Sequence, residues 1–259
     1  MFFIPQKIQY LITLENYVSI VKNDEIVYAS GAGVQATLKT GSTLMYALNV
    51  TVPLEITLGF MKVGYGDTYV SFKSDMDIGA RDDEDKAFNE GNVVFSSFSV
   101  SNDYALSKRL YGHYMWDFDT EFTYHFILPS IFSEDDLKPG ICLAQYTLKN
   151  LQDYAADELV EKPKFSAGIQ MHQFITFEGM IQTVDNAINT KNPSEMYCVE
   201  GGEYLSILSL IERLLAIYDV PCKNEYFGQS KRRDGDIRSL RLNGAKLYSV
   251  LGYQLDKSI

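Results

Sequence analysis

Tyr104-Ala-Leu-Ser-Lys108 places a phenol and an ammonium four residues apart. On a helix such residues share a face, so both side chains can point into one cleft. A tyrosine has an ordinary pKa of about 10 and is a poor base at neutral pH, but a cation beside it favours the phenolate. A phenol tuned in that way exchanges a proton with a sugar or alcohol hydroxyl while a cofactor takes a hydride. The same spacing also occurs by chance on solvated helix faces, so the pair is a hypothesis that needs a cleft.

Two other clusters have a chemical reading. Ser30-Gly31-Ala32-Gly33-Val34-Gln35-Ala36 follows the apolar run Ile26–Ala29. Read as G-x-G-x-x-A from Gly31, it offers a tight turn, a close approach of backbone to a pyrophosphate and a helix N-terminus facing the phosphates. An ordinary strand-to-helix turn has the same composition. Ser230-Lys231-Arg232-Arg233-Asp234-Gly235-Asp236-Ile237-Arg238 gathers arginines suited to bidentate phosphate binding. The competing reading is a solvated loop that balances nearby carboxylates.

Something must position these groups, and the composition says what can. The chain has 259 residues, 46% of them hydrophobic and 22% charged, enough for one large α/β domain or a nucleotide-binding domain with a smaller lobe. A net charge of −11 argues against nucleic acid or an anionic membrane as the main partner. Cys142, Cys198 and Cys222 are too scattered for a disulfide framework, and three histidines without a CxxC make a metal site improbable. The opening MFFIPQKIQY lacks the form of a signal peptide, and no apolar stretch reads as long enough to span a bilayer. The expectation is a soluble, reduced, cytoplasmic protein.

Periodicity and turn residues predict alternating elements. A helix is expected over 37–48, softened by Gly41, then a strand at Asn49–Val52, a strand at Thr68–Phe72, an exposed helix start at Arg81–Lys86 and a strand at Asn92–Phe95. Further on come a helix from Tyr104 to Trp116, a strand near Phe122–Leu128, a helix over 142–158, a strand at Phe174–Phe177, and helices over 179–189 and 205–218. Alternation of this kind favours a mainly parallel sheet flanked by helices.

Taken in order, these pieces resemble the extended short-chain dehydrogenase/reductase family, the NAD-dependent sugar epimerases and dehydratases. The likeness is best over roughly 104–253. Tyr104-Ala-Leu-Ser-Lys108 resembles the family's YxxxK helix, and Ile127–Phe132 with Asp135-Asp136 its next strand and loop. His172-Gln-Phe-Ile-Thr-Phe-Glu178 is similar to its R-D-F-I segment, with His172 for arginine, and Met196–Ile207 to its "YNvGgGe" stretch, with Cys198 for asparagine. Arg233–Arg238 and Lys246…Leu251-Gly252-Tyr253 resemble its closing R-x-G-D…K…L-G-[YW] signature.

The resemblance implies a Rossmann-like α/β fold with a mainly parallel sheet and a small mixed C-terminal substrate lobe, divided as 1–170 and 171–259. It implies NAD or NADP as cofactor, a nucleotide sugar as substrate, and a homodimer paired through a helix like 104–118. Tyr104 is then the acid/base, Lys108 lowers its pKa and holds the cofactor ribose, and Arg233 grips the substrate diphosphate. Two placements of the first hundred residues compete. In one, Gly31, Gly33 and Ala36 form the cofactor loop, Asp75 or Asp77 lies near the adenine, and Ser96, Ser97 or Ser99 supplies the family's catalytic hydroxyl. In the other, Val27–Val34 matches the family's V-Y-x-S-S-A strand, with Gly31 at the serine's position. The order of elements favours the first. Two further readings stay open: a non-catalytic member that binds a nucleotide sugar or a protein partner, and an unrelated β-rich domain of antiparallel hairpins over 26–103.

Overall fold

The computed structural model describes residues 25–32, 40–80, 86–100, 102–117, 123–132, 153, 165–190, 195–217, 221, 223–228 and 238–251. The expected helix over 142–158, most of the acidic segment 81–86, Cys142, Cys222 and the end of the closing signature fall outside them.

Strand β1 (Ile26–Tyr28) is followed by a long helix, α1 (Ser42–Val63). This helix overturns the expected strand at Asn49–Val52. The β-branched Val50, Thr51 and Val52 carry only a weak strand preference, and packing decides. Met45, Asn49, Pro53, Thr57 and Phe60 repeat at helical spacing and are buried on one face. Ile56 and Phe60 pack on Ile26, Tyr28, Tyr65 and Tyr69. Ala47–Thr51 forms a π-turn just before Pro53, which has no N–H to give the preceding turn. The Tyr28 hydroxyl donates to the Leu48 carbonyl there at 2.6 Å. By length and composition α1 is apolar enough to cross a bilayer, contrary to the sequence expectation. In this fold it is a core helix with one buried face.

Strand β2 (Tyr69–Ser74) runs into a 3-10 turn at Asp75–Ile78, then come α2 (Glu90–Val94) and α3 (Asp103–Trp116). Residues Asn92–Val94 are therefore helical, not a strand: the Asn89 side chain accepts from the Asn92 N–H at 2.9 Å and starts a helical turn. Strands β3 (Thr123–Leu128) and β6 (Met196–Cys198) complete a parallel sheet in the order β1-β2-β3-β6. Helices α1 and α3 are the crossovers that parallel neighbours require. All six residues of β3 are buried, as expected of a strand covered on both faces. Parallel pairing of β1 and β2 also removes the antiparallel β-rich alternative for 26–103.

A second, mixed sheet joins β4 (Ser130–Phe132), β5 (Met171–Thr176), β7 (Glu203–Ser206) and β8 (Ser239–Leu240), with β5 parallel to β4 and β8 and antiparallel to β7. Helices α4 (Phe177–Thr190), α5 (Ile207–Ile217) and α6 (Ala245–Leu251) follow β5, β7 and β8. Most of the predicted second-half elements stand where expected. Leu205, in β7 rather than on the helix, and Phe177, which opens α4 rather than ending β5, are exceptions.

Candidate active site

Helix α3 carries the expected pair. The Asn102 side chain caps it by accepting from the Ala105 N–H at 2.8 Å, which sets Tyr104 in its first turn. Lys108 is buried on the sheet side and donates from Nζ to the Phe72 carbonyl at 3.0 Å. The Tyr104 hydroxyl lies close enough to Ser74, the last residue of β2, for that side chain to act on the phenol. Phenol, ammonium and serine hydroxyl thus meet at the carboxyl end of a parallel strand, where open α/β sheets place their ligands.

The sequence reading missed Ser74. Ser96 instead donates to the Ile78 carbonyl at 2.5 Å, and Ser97 and Ser99 are exposed. Ser74 could have been found as the hydroxyl at the end of the strand that precedes the Tyr104 helix. Its side chain accepts from the Met76 N–H at 3.2 Å and so opens the turn that carries Asp75 and Asp77.

Asp75 accepts from the Ser74 hydroxyl at 3.3 Å, is 3% exposed, and its Oδ2 has no hydrogen-bond partner among the described residues. Burial pushes this carboxyl up to about 6; His172 pulls it down and Asp77 adds to the rise. The structure thus places Asp75 in the tyrosine's cluster. His172, on β5, lies 3.4 Å by Nδ1 from the Ser130 hydroxyl and brings the second sheet to the same carboxyl. Burial also raises the Tyr104 phenol well above its ordinary value, with Asp77 and Asp75 reinforcing it and Ser74 opposing. The direction is opposite to the lowering expected from Lys108. Lys108 itself is brought down to about 8 by burial, with Asp77 opposing and Lys73 adding.

The turn is held from below. Arg109 donates from Nε to the Asp77 carbonyl at 2.8 Å and from Nη2 to the Ile78 carbonyl at 2.9 Å. The Asp77 carboxylate pairs with Lys73 at 2.7 Å, both side chains fully buried. Room for Lys73 comes from Gly112: a Cβ there would lie 2.0 Å from Lys73 Nζ and 2.7 Å from its Cε. Gly112→Ala should therefore destabilise the fold by at least about 2 kcal/mol, because overpacking adds to displacement of a buried ion pair. Urea denaturation checks it, and wild-type stability in that variant would refute the packing.

Asn49, also missed by the sequence reading, ties the loop after β1 to α3. The Ala32 N–H donates to Asn49 Oδ1 at 3.0 Å, and Asn49 Nδ2 donates to the Ala32 carbonyl and the Ser107 hydroxyl, each at 2.9 Å. Ser107 in turn donates to the Tyr104 carbonyl at 2.8 Å. Gly31 sits inside this clasp, where a Cβ would meet Asn49 Oδ1 at 3.3 Å and Lys108 Nζ at 3.7 Å. The structure brings Gly31, Tyr104, Lys108 and Asp75 to one end of the sheet, while Gly33, Ala36 and Arg233 lie outside the described residues. Residues 33–39, where the first placement expects the loop to run into a helix, lie outside the described residues, and α1 is described from Ser42. Gly31 does not take the serine's position on the strand before α3, because that strand is β2 and its hydroxyl is Ser74. Bare backbone beside a lysine ammonium fits the ribose end of a dinucleotide.

Asp75 stores a measurable cost. Its folded pKa lies above the unfolded value, so its contribution to stability is fully present below about pH 4 and lost as pH rises through about 6. Asp75→Asn should then raise stability at pH 7, by up to about 3 kcal/mol, and flatten its pH dependence between 4 and 6. Thermal melts across that range test this; an unchanged slope would contradict it.

No family model matches the chain, and no curated protein matches it significantly. Solved structures do. WbmG of Bordetella bronchiseptica, in complex with NAD and UDP, is 16% identical, with 93% of this chain and 71% of that one covered and a TM-score of 0.71. DesIV, a dTDP-glucose 4,6-dehydratase of Streptomyces venezuelae with NAD bound, is 16% identical over 93% and 72%, with a TM-score of 0.69. The UDP-glucose 4-epimerase of Thermotoga maritima, with UDP-glucose, is 14% identical over 93% and 75%, with a TM-score of 0.73. The chain has the α/β fold of the extended short-chain dehydrogenase/reductases, the structural family of the nucleotide-sugar epimerases and dehydratases.

Proposed function

We propose that this protein is an NAD(P)-dependent enzyme acting on a nucleotide-activated sugar, and that its reaction is the elimination of water. The observation that carries the reading is the Tyr104–Ser74–Asp75 cluster, a half-buried phenol and a buried carboxyl on either side of one serine hydroxyl. Epimerisation through a transient ketone, or reduction of a ketone, needs one acid/base for the hydroxyl proton. Elimination needs two more groups, a base for the proton on the carbon beside the carbonyl and an acid to protonate the departing hydroxyl, and a carboxyl near 6 with one oxygen unpartnered is suited to be the acid.

When bound, the nicotinamide accepts and returns a hydride. The chain's own residues do the rest. Gly31 and Lys108 receive the cofactor ribose, and Asn49 keeps the loop in place. Tyr104 holds its proton in the resting site, so it serves as base only after a ligand displaces the surroundings that raise its pKa. Ser74 aligns the sugar hydroxyl with the phenol, His172, which reaches Asp75 from the second sheet, takes the proton from the carbon beside the new carbonyl, and Asp75 gives its proton to the leaving oxygen. Arg233, by the resemblance, binds the substrate diphosphate. The division into a 1–170 cofactor part and a 171–259 substrate part belongs to the same reading, as do a cytoplasmic location and a homodimer. Leu110, Tyr114 and Trp116 of α3 are exposed and would be covered in such a pair.

One observation favours the runner-up, a non-catalytic module that binds a nucleotide sugar: the phenol's pKa is raised rather than lowered. Calorimetric titration with NAD(H) and NADP(H) separates the two. Saturable micromolar binding supports the enzyme; no binding at millimolar cofactor leaves the module.

A further inference from the structure

The mixed sheet carries an arginine that the reading above does not use. Register pairs Met171 with Ser239 and His172 with Leu240, so the chain past β8 brings Arg241 beside Gln173. Gln173 is paired in turn with Tyr204 of β7. The Arg241 guanidinium lies over the Tyr204 ring, 5.3 Å from its centroid. The polar atoms beneath it are already engaged. The Tyr204 and Ser239 hydroxyls are 2.6 Å apart, and Gln173 Oε1 accepts from the Leu242 N–H at 2.7 Å. Glu203, the acid next to Tyr204, pairs with Arg213 instead. Arg241 Nε is buried without a hydrogen-bond partner, and no ion pair engages this guanidinium among the described residues. Its backbone is fixed, the carbonyl accepting from the Phe88 N–H at 2.9 Å. The chain has 34 acidic residues against 23 Lys plus Arg, yet this half-buried cation has no carboxylate. Buried charge without a partner is costly, which makes an anion from outside the natural complement.

We propose that Arg241, stacked on Tyr204, is an anion site that receives a phosphoryl group. The ring covers one face of the guanidinium and leaves the N–H donors in its plane free to make two parallel bonds to oxygens. A phosphoryl group carries up to about two negative charges, so it answers an unpaired cation better than a singly charged carboxylate does. The site is on the face of the mixed sheet turned away from His172, because His172 pairs with Leu205 while its neighbour Gln173 pairs with Tyr204. It is therefore separate from the Tyr104 cluster and does not rest on the catalytic reading.

The test uses the full chain labelled with nitrogen-15. The Arg241 Nε signal, assigned by its loss in Arg241→Gln, and the nearby Ser239 amide are followed by NMR. Inorganic phosphate, UDP and acetate are titrated in turn at constant ionic strength. Phosphate or UDP should move both signals saturably, and the Ser239 amide should report at least about tenfold weaker binding in Arg241→Gln. UDP binding more tightly than phosphate supports the site and assigns a nucleotide as the source; equal affinities support it and assign the free anion. Signals unmoved by both, moved as readily by acetate, or an affinity unchanged in Arg241→Gln would overturn the proposal. If that variant does not fold, Arg241→Lys takes its place: it keeps the charge but not the planar fork, so weaker binding upholds the site and equal binding overturns it. Turnover unaffected by Tyr104→Phe would end the catalytic reading and leave these titrations unchanged.

Discussion

Tyr104→Phe is expected to lower turnover by about 10²- to 10⁴-fold while leaving cofactor and substrate binding nearly intact. That range is what one positioned acid/base contributes. The substitution removes a single oxygen from a half-buried ring at the head of α3, so the helix keeps its Asn102 cap and Lys108 keeps its bond to Phe72. The hydroxyl lost is the one beside Ser74. A fall in kcat with unchanged KM is the expected signature, because the interaction belongs to the proton transfer and not to binding. Equal turnover by the variant would remove the tyrosine from the chemistry.

Asp75→Asn is the second large effect. The amide keeps the shape of the carboxyl but has no proton to give a leaving hydroxyl, so elimination should fall by about 10²- to 10⁴-fold. The pH profile makes the assignment specific. As a general acid with a folded pKa of about 6, Asp75 is active when protonated, so wild-type kcat/KM should decline as pH rises through that value. The Asn variant should lack that limb. Its expected gain in stability at pH 7 goes with the loss of activity, the trade-off of a site that keeps a buried carboxyl for use. Rate and pH profile unchanged in Asp75→Asn would return the reaction to epimerisation or reduction, which need only the tyrosine.

Much of this was legible in the residues. The YxxxK spacing placed Tyr104 and Lys108 on a helix, and that helix runs Asp103–Trp116. Strand β5 and the helices after β5 and β7 were readable from their periodicity. The first half was not, for two physical reasons. Val50, Thr51 and Val52 look like a strand locally, and only the buried face shared with Met45, Thr57 and Phe60 reveals a helix. The turn after β2 was also opaque. The sequence puts Asp75 or Asp77 near the adenine and gives Ser74 no role, because nothing local says that Lys73 is buried with them or that Gly112, nearly forty residues later, makes space for it. Asn49 was hidden likewise, its partners Ala32 and Ser107 being distant in sequence. Charges and amides that serve a site are satisfied across the fold, and a local pattern does not record that.

The most direct test is to incubate the purified protein with NAD+ and a panel of UDP- and dTDP-hexoses and to weigh the products by mass spectrometry. The account predicts a sugar nucleotide lighter by one water, formed by wild type and absent with Tyr104→Phe and Asp75→Asn. A product of unchanged mass would replace elimination by epimerisation. Bound sugar nucleotide that is never converted would contradict the enzyme and leave a binding module on this fold.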